Sequence, residues 1–115
     1  MKLLSLVLLA YAMCGAGALA QASLSPAELL AHGSAYDGHT VTVAGTVHRI
    51  VHRVSHRGNA YTTFDLCFDA SCIRVFEFGN ASIADGASTT VSGTFSVEKR
   101  VGSTVYRNEL DVQSP

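Results

Sequence analysis

Beyond Met13 the sequence contains neither methionine nor tryptophan, and its 115 residues include only two prolines. There is no C-x-x-C motif, and no histidine follows His56. No nucleophile–base spacing, paired acidic motif or phosphate-cradling glycine loop is recognisable, so the expectation is a protein that is not an enzyme. Internal repeats and low-complexity tracts are absent, and no second long apolar run follows the first, which argues against a further membrane span. Eight Lys and Arg against nine Asp and Glu give a formal net charge of −1. Nonspecific affinity for a polyanion rests on several Lys and Arg contacts, and this balance is poor for it.

What is present begins with an export signal. Lys2 supplies a positive start, residues 3–13 an apolar stretch, and Ala18-Leu19-Ala20 or Ala20-Gln21-Ala22 a small-residue cleavage site. Residues 1–22 are therefore expected to be a signal peptide, cut after Ala20 or Ala22, with the mature protein periplasmic or secreted. The apolar stretch is short and has no basic cluster behind it, which argues against a membrane anchor. Tyr11-Ala12-Met13 lacks the small residue that lipid attachment at Cys14 would want. Processing removes both methionines and Cys14, leaving Cys67 and Cys72 and a net charge of about −2. A chain of this size holds one domain near the lower limit for a stable core.

Residues 23–38 lead into that domain. Ser25-Pro26-Ala27-Glu28 is a capping box with proline at the first helical position. The spacing predicts one short helix, stopped by Gly33, that plugs the end of the domain with Leu29 or Leu30. Tyr36-Asp37-Gly38 makes a turn into the first strand. His32 sits where a helix C-terminus favours a cation, a local electrostatic role.

From residue 39 to 115 the pattern is all-β. VTVAGTV, YTTFDLCFDASCIRVFEF, DGASTTVSGTF and VYRNELDV alternate apolar and polar positions or carry dense β-branched side chains. They predict five short strands closed on one small core, bent at Gly45 and Gly93. If Asp69-Ala70 is a two-residue turn, Leu66 faces Ile73 and Phe64 faces Val75 in the core. Cys67 then faces Cys72, Asp65 faces Arg74, Thr63 faces Phe76 and Tyr61 faces Phe78 on the other side. One register pairs the core, the cysteines and a charge couple together. In an exported chain this arrangement predicts a structural disulfide. A redox pair favours C-x-x-C at a helix start, and structural zinc needs two further ligands, so both alternatives rank below it.

Residues 47–57 repeat His-Arg every four residues and fit two periods. As a helix, Val47, Ile50, Val51 and Val54 form one apolar stripe. As a strand, His48, Ile50 and His52 share a face opposite Val47, Arg49 and Val51. The β-branched content, the strand-like lead-in and the Gly58-Asn59 turn favour a long bent strand. Histidines four apart on a strand are roughly 13 Å apart, too far to share an ion, so no metal site and no cofactor is expected.

The order of these pieces, from V-T-V-A-G-T-V through C-I-R-V-F to N-E-L-D-V, resembles the small nucleic-acid-binding, tRNA-anticodon-like OB-fold family. The resemblance spans residues 41–112 and implies a five-stranded OB-fold barrel with one short N-terminal helix. It implies ligand binding across strands 2 and 3, flanked by the loops joining strands 1–2 and 4–5. Carried onto this chain, that face holds Tyr61, Thr63, Asp65, Arg74 and Phe76, flanked by Arg53, His56 and Arg57 on one side and Lys99 and Arg100 on the other. Single-stranded nucleic acid is the partner the resemblance implies, bound by stacking and by nearby cations. The alternative from another class is an envelope module that docks a protein or an anionic glycan on the same face. Exported OB-fold copper chaperones bind their ion with methionines, a histidine and a tryptophan, and haem chaperones carry a membrane anchor and a histidine after the barrel. The mature sequence has no Met or Trp, and no histidine follows His56, so neither site is expected.

Overall fold

The computed structural model describes residues 23–112. Residues 1–22, expected from the sequence to be a signal peptide, lie outside the described residues. Five strands, β1 (Thr40–Val54), β2 (Ala60–Phe68), β3 (Ser71–Phe78), β4 (Ser88–Val101) and β5 (Thr104–Val112), form a closed barrel in the order β1-β2-β3-β5-β4, with β4 paired back onto β1. Neighbours are antiparallel except β3 and β5, which run parallel. Strand alternation sends Val41, Val43 and Val47 of β1 inward to meet Phe64, Leu66, Ile73, Val75, Phe95 and Leu110. Full burial of each such side chain stabilises the fold by about 1.5–3 kcal/mol.

The β2–β3 hairpin has the register read from its sequence. Leu66 faces Ile73, Phe64 faces Val75, Thr63 faces Phe76 and Tyr61 faces Phe78. Asp69 takes the left-handed conformation (φ 53°) that begins the turn. Cys67 and Cys72 are disulfide-bonded with their Cα atoms 4.0 Å apart, the closeness of a non-hydrogen-bonded antiparallel pair.

The two glycines inside strands mark corners. β1 pairs with β4 up to Thr46 and with β2 from Thr46 onward; β4 changes from β1 to β5 at Thr94. A Cβ on Gly45 would stand 2.8 Å from the Cys67 carbonyl oxygen, and one on Gly93 would stand 2.7 Å from the Asp111 carbonyl carbon. Each strand can switch partners because bare backbone lies against backbone there.

Residues 47–54 are strand, with one feature that simple alternation misses. His48 faces Asp65 and Val51 faces Thr63, so Arg49 and Ile50 together oppose Phe64 in a β-bulge. Arg49 sits at φ 57°, and its backbone N–H donates to Asp85 Oδ1 at 3.0 Å. The extra residue reverses the alternation. His48 and His52 therefore do not share a face: His48 lies with Asp65, while His52 lies with Thr62, whose hydroxyl is 3.0 Å from His52 Nδ1.

The lead-in also differs from a single helix. α1 (Pro26–Ala31) and α2 (Gly33–Tyr36) follow one another across His32. The capping box is complete: Glu28 N–H donates to Ser25 Oγ at 3.1 Å, and Ser25 N–H to Glu28 Oε1 at 2.9 Å. Leu29 is the plug, fully buried, while Leu30 is exposed. Gly33 is not a stop. It lets α2 approach β4, where a Cβ would meet Val97 Cγ2 at 3.2 Å. Asp37 Oδ1 then accepts from Val97 N–H at 2.8 Å and fastens the segment to the barrel. Among the described residues no helix is long and apolar enough to cross a membrane.

Candidate ligand-binding groove

A groove of about 540 Å³ opens on the outer face of β2, β3, β4 and β5, reaching from Ser55 beyond β1 to Val101 at the end of β4. Strand alternation builds its aromatic wall. Phe76 and Phe78 are two apart on β3, and Tyr61 is the cross-strand partner of Phe78. The Tyr61 and Phe76 rings are stacked at 5.2 Å between centroids and 27° between planes, and Phe78 meets Phe76 edge-on at 5.0 Å. Tyr106 of β5 completes the wall under the Arg74 guanidinium, 4.7 Å from its ring centroid.

The floor is charged and self-paired. Arg74 Nε donates to Glu109 Oε1 at 3.0 Å, and Lys99 Nζ donates to Glu109 Oε2 at 3.2 Å and to Asp111 Oδ2 at 2.5 Å. Lys99 also lies 5.4 Å from the Phe76 ring centroid. Glu109 is 2% exposed. Burial, and then the neighbouring Asp111, push its carboxyl above the usual carboxylate value, against the opposing pull of Lys99. Burial draws the Lys99 ammonium down, but hydrogen bonds and charge from Asp111 and Glu109 outweigh it and hold its pKa above the usual lysine value.

Of the residues singled out from sequence, Tyr61, Arg74, Phe76 and Lys99 line this groove. Arg53 and Thr63 line an adjoining depression of about 420 Å³ that shares Tyr61, Arg74 and Tyr106. Thr63 is 6% exposed and offers a ligand little surface. His56, Arg57 and Arg100 are exposed and line neither hollow. The expected Asp65–Arg74 ion pair is not made, although the two are register partners. Asp65 Oδ2 pairs instead with Arg49 Nε at 3.1 Å, because the bulge turns Arg49 over it, and Arg74 turns to Glu109.

Sequence reasoning missed Glu109, Asp111, Tyr106 and the part Phe78 plays. A signal for the first two existed. Glu109 and Asp111 flank Leu110, so a strand that buries Leu110 presents both acids on its other face. Among the described residues no group of three His, Cys, Asp or Glu is placed to hold a metal ion. Comparison with protein-family models, with curated proteins and with solved structures finds no match to the chain.

Proposed function

We propose that this chain is an exported, noncovalent binding module of the OB-fold type that takes single-stranded nucleic acid across its β2–β3 face. The strand order, with β4 returning to β1 and β3 parallel to β5, supports the OB-fold reading. The observation that carries the ligand reading is the Tyr61–Phe76 stack with Phe78 at its edge, set between the β1–β2 and β4–β5 hairpins. Every base has a π-face, so such a wall holds bases without regard to sequence. Arg53, Arg57 and Arg100 on those hairpins make no ion pair among the described residues and supply charge for phosphates. The Cys67–Cys72 disulfide supports an oxidising, periplasmic or secreted setting, as the leader does.

A second reading has its own observation. Val54, Phe78 and Val101 are exposed, and the groove floor is neutralised internally. An apolar rim over a neutral floor favours an envelope partner, a protein or a glycan, over a densely charged strand. Titration of the mature protein with short single-stranded oligonucleotides at low and moderate salt separates the two. Saturable binding lost on replacing Tyr61 or Phe76 supports the first, and absence of binding at low salt supports the second.

A further inference from the structure

Four charges from three strands meet on the groove floor: Arg74 from β3, Lys99 from β4, and Glu109 and Asp111 from β5. Both Glu109 oxygens are taken by the two cations, and Asp111 Oδ2 is taken by Lys99. Asp111 Oδ1 is buried with no hydrogen-bond partner among the described residues. Arg74 and Lys99 keep 36% and 33% of their side-chain surface exposed, so both are reachable from the groove.

With both carboxylates ionised, this cluster is electrically neutral and leaves one buried oxygen unmet. A single proton on Glu109, offered to that oxygen, satisfies it and leaves one positive charge in excess. Two carboxylates that both accept from the Lys99 ammonium disfavour being ionised together, and burial puts the proton on Glu109. No other charged group among the described residues that line the groove offsets the change. Tyr106 and Phe76 face the cations with their rings, Tyr61 comes from β2, and Asp65 of β2 is drawn away by Arg49.

We propose that this cluster is a proton-gated anion subsite: when Glu109 takes up a proton, Lys99 and Arg74 are released to hold a phosphate group on the groove floor. The choice of phosphate rests on the nucleic-acid reading above. The raised pKa of Glu109 agrees with that uptake. The gate sets a division of labour: aromatic rings hold the base at any pH, and the floor adds its grip only on acidification.

The test uses the mature oxidised protein with its five histidines replaced by Gln, so that no imidazole contributes to the pH response. In this background a six-residue oligothymidylate should bind about ten-fold tighter at pH 5 than at pH 7.5 in low salt. Glu109→Gln, which copies the protonated acid, should bind at pH 7.5 as tightly as its parent does at pH 5, and no longer respond to pH. Asp111→Asn, should Glu109→Gln fail to fold, removes the same charge from the floor and should likewise tighten binding at pH 7.5. Inorganic phosphate, followed by the Lys99 ammonium and Arg74 guanidinium NMR signals, should shift both at pH 5 and neither at pH 7.5. Oligonucleotide binding that ignores pH and is unchanged or weakened by Glu109→Gln overturns the gate and leaves the nucleic-acid reading standing. Phosphate shifts without oligonucleotide binding keep the gate and overturn that reading. Neither response overturns both.

Discussion

Gly93 lies flat against the backbone of Asp111, with no room between them for a methyl group: a Cβ would stand 2.7 Å from the Asp111 carbonyl carbon and 3.0 Å from Val112 N. The contact joins the fold to the groove, because Asp111, with Glu109, holds Lys99 over Phe76. Both colliding groups are backbone, so neither can rotate away. Gly93→Ala should therefore destabilise the domain by roughly 1–3 kcal/mol, although alanine is ordinarily the better residue inside a strand. Urea unfolding of the oxidised protein measures it. An unchanged midpoint would show that β4 and β5 can part there freely.

The hairpin disulfide closes a short loop, its two ends five positions apart in sequence. Loop-entropy reasoning gives it about 2 kcal/mol. Replacing Cys67 and Cys72 together by Ser should lower stability by about that amount without unfolding the barrel, since Leu66–Ile73 and Phe64–Val75 still hold the register. Denaturant titration with and without reductant should place the reduced wild type near the double variant.

Arg49 tests the bulge. Its φ of 57° disfavours any side chain, while its ion pair with Asp65 leaves Arg49 83% exposed and adds little. Arg49→Gly should leave stability within about 1 kcal/mol of the wild type, whereas Arg49→Val should cost more because a β-branched residue resists that conformation. Asp85→Ala should cost about 1 kcal/mol by leaving the Arg49 N–H without its acceptor. Equal effects of Gly and Val would argue that the bulge relaxes to a regular ladder.

The buried floor gives stability a distinct pH dependence. Glu109 has a folded pKa above its ordinary 4.5, so between those two values the folded state binds more protons than the unfolded chain. Its contribution therefore falls as pH rises through that window. Lys99 has a folded pKa above 10.5, so its contribution is whole below 10.5 and is lost as pH rises through the folded value. Glu109→Gln should abolish the first slope and leave the alkaline loss in place. Urea midpoints measured from pH 4 to 7 and again above pH 10 check both signs, and parallel acid-side curves would refute the Glu109 assignment.

How much of this was legible follows from where each determinant lies. The β2–β3 register was readable because core pairs, cysteines and turn sit within a few residues and agree. The bulge was not, because arginine does not announce a left-handed backbone and the group that holds it, Asp85, lies 36 positions away. Gly33 reads as a helix stop by residue type; its actual constraint is a side chain on β4. In the groove, Tyr61, Phe76, Arg74 and Lys99 were visible as aromatic and cationic types. Their neutralisation by Glu109 and Asp111 was hidden, because it depends on β5 inserting between β3 and β4.

The wall and the rim of the groove should fail in different ways if the ligand is a single strand. Tyr61 and Phe76 supply stacking area, and loss of a base stack costs roughly 1–3 kcal/mol. Tyr61→Ala and Phe76→Ala should each weaken oligonucleotide binding by that amount, with the salt slope unchanged, because neither removes charge. The two rings touch, so the double variant should cost less than the sum of the singles. Arg53 and Arg57 are outside that stack and make no ion pair among the described residues. Replacing both by Ala should weaken all sequences alike and reduce the salt dependence by about two phosphate contacts. Affinities measured for the wild type and the four variants at two salt concentrations decide it. A salt slope that falls with the aromatic variants, or stays fixed with the arginine pair, would show that the strand does not lie across this face.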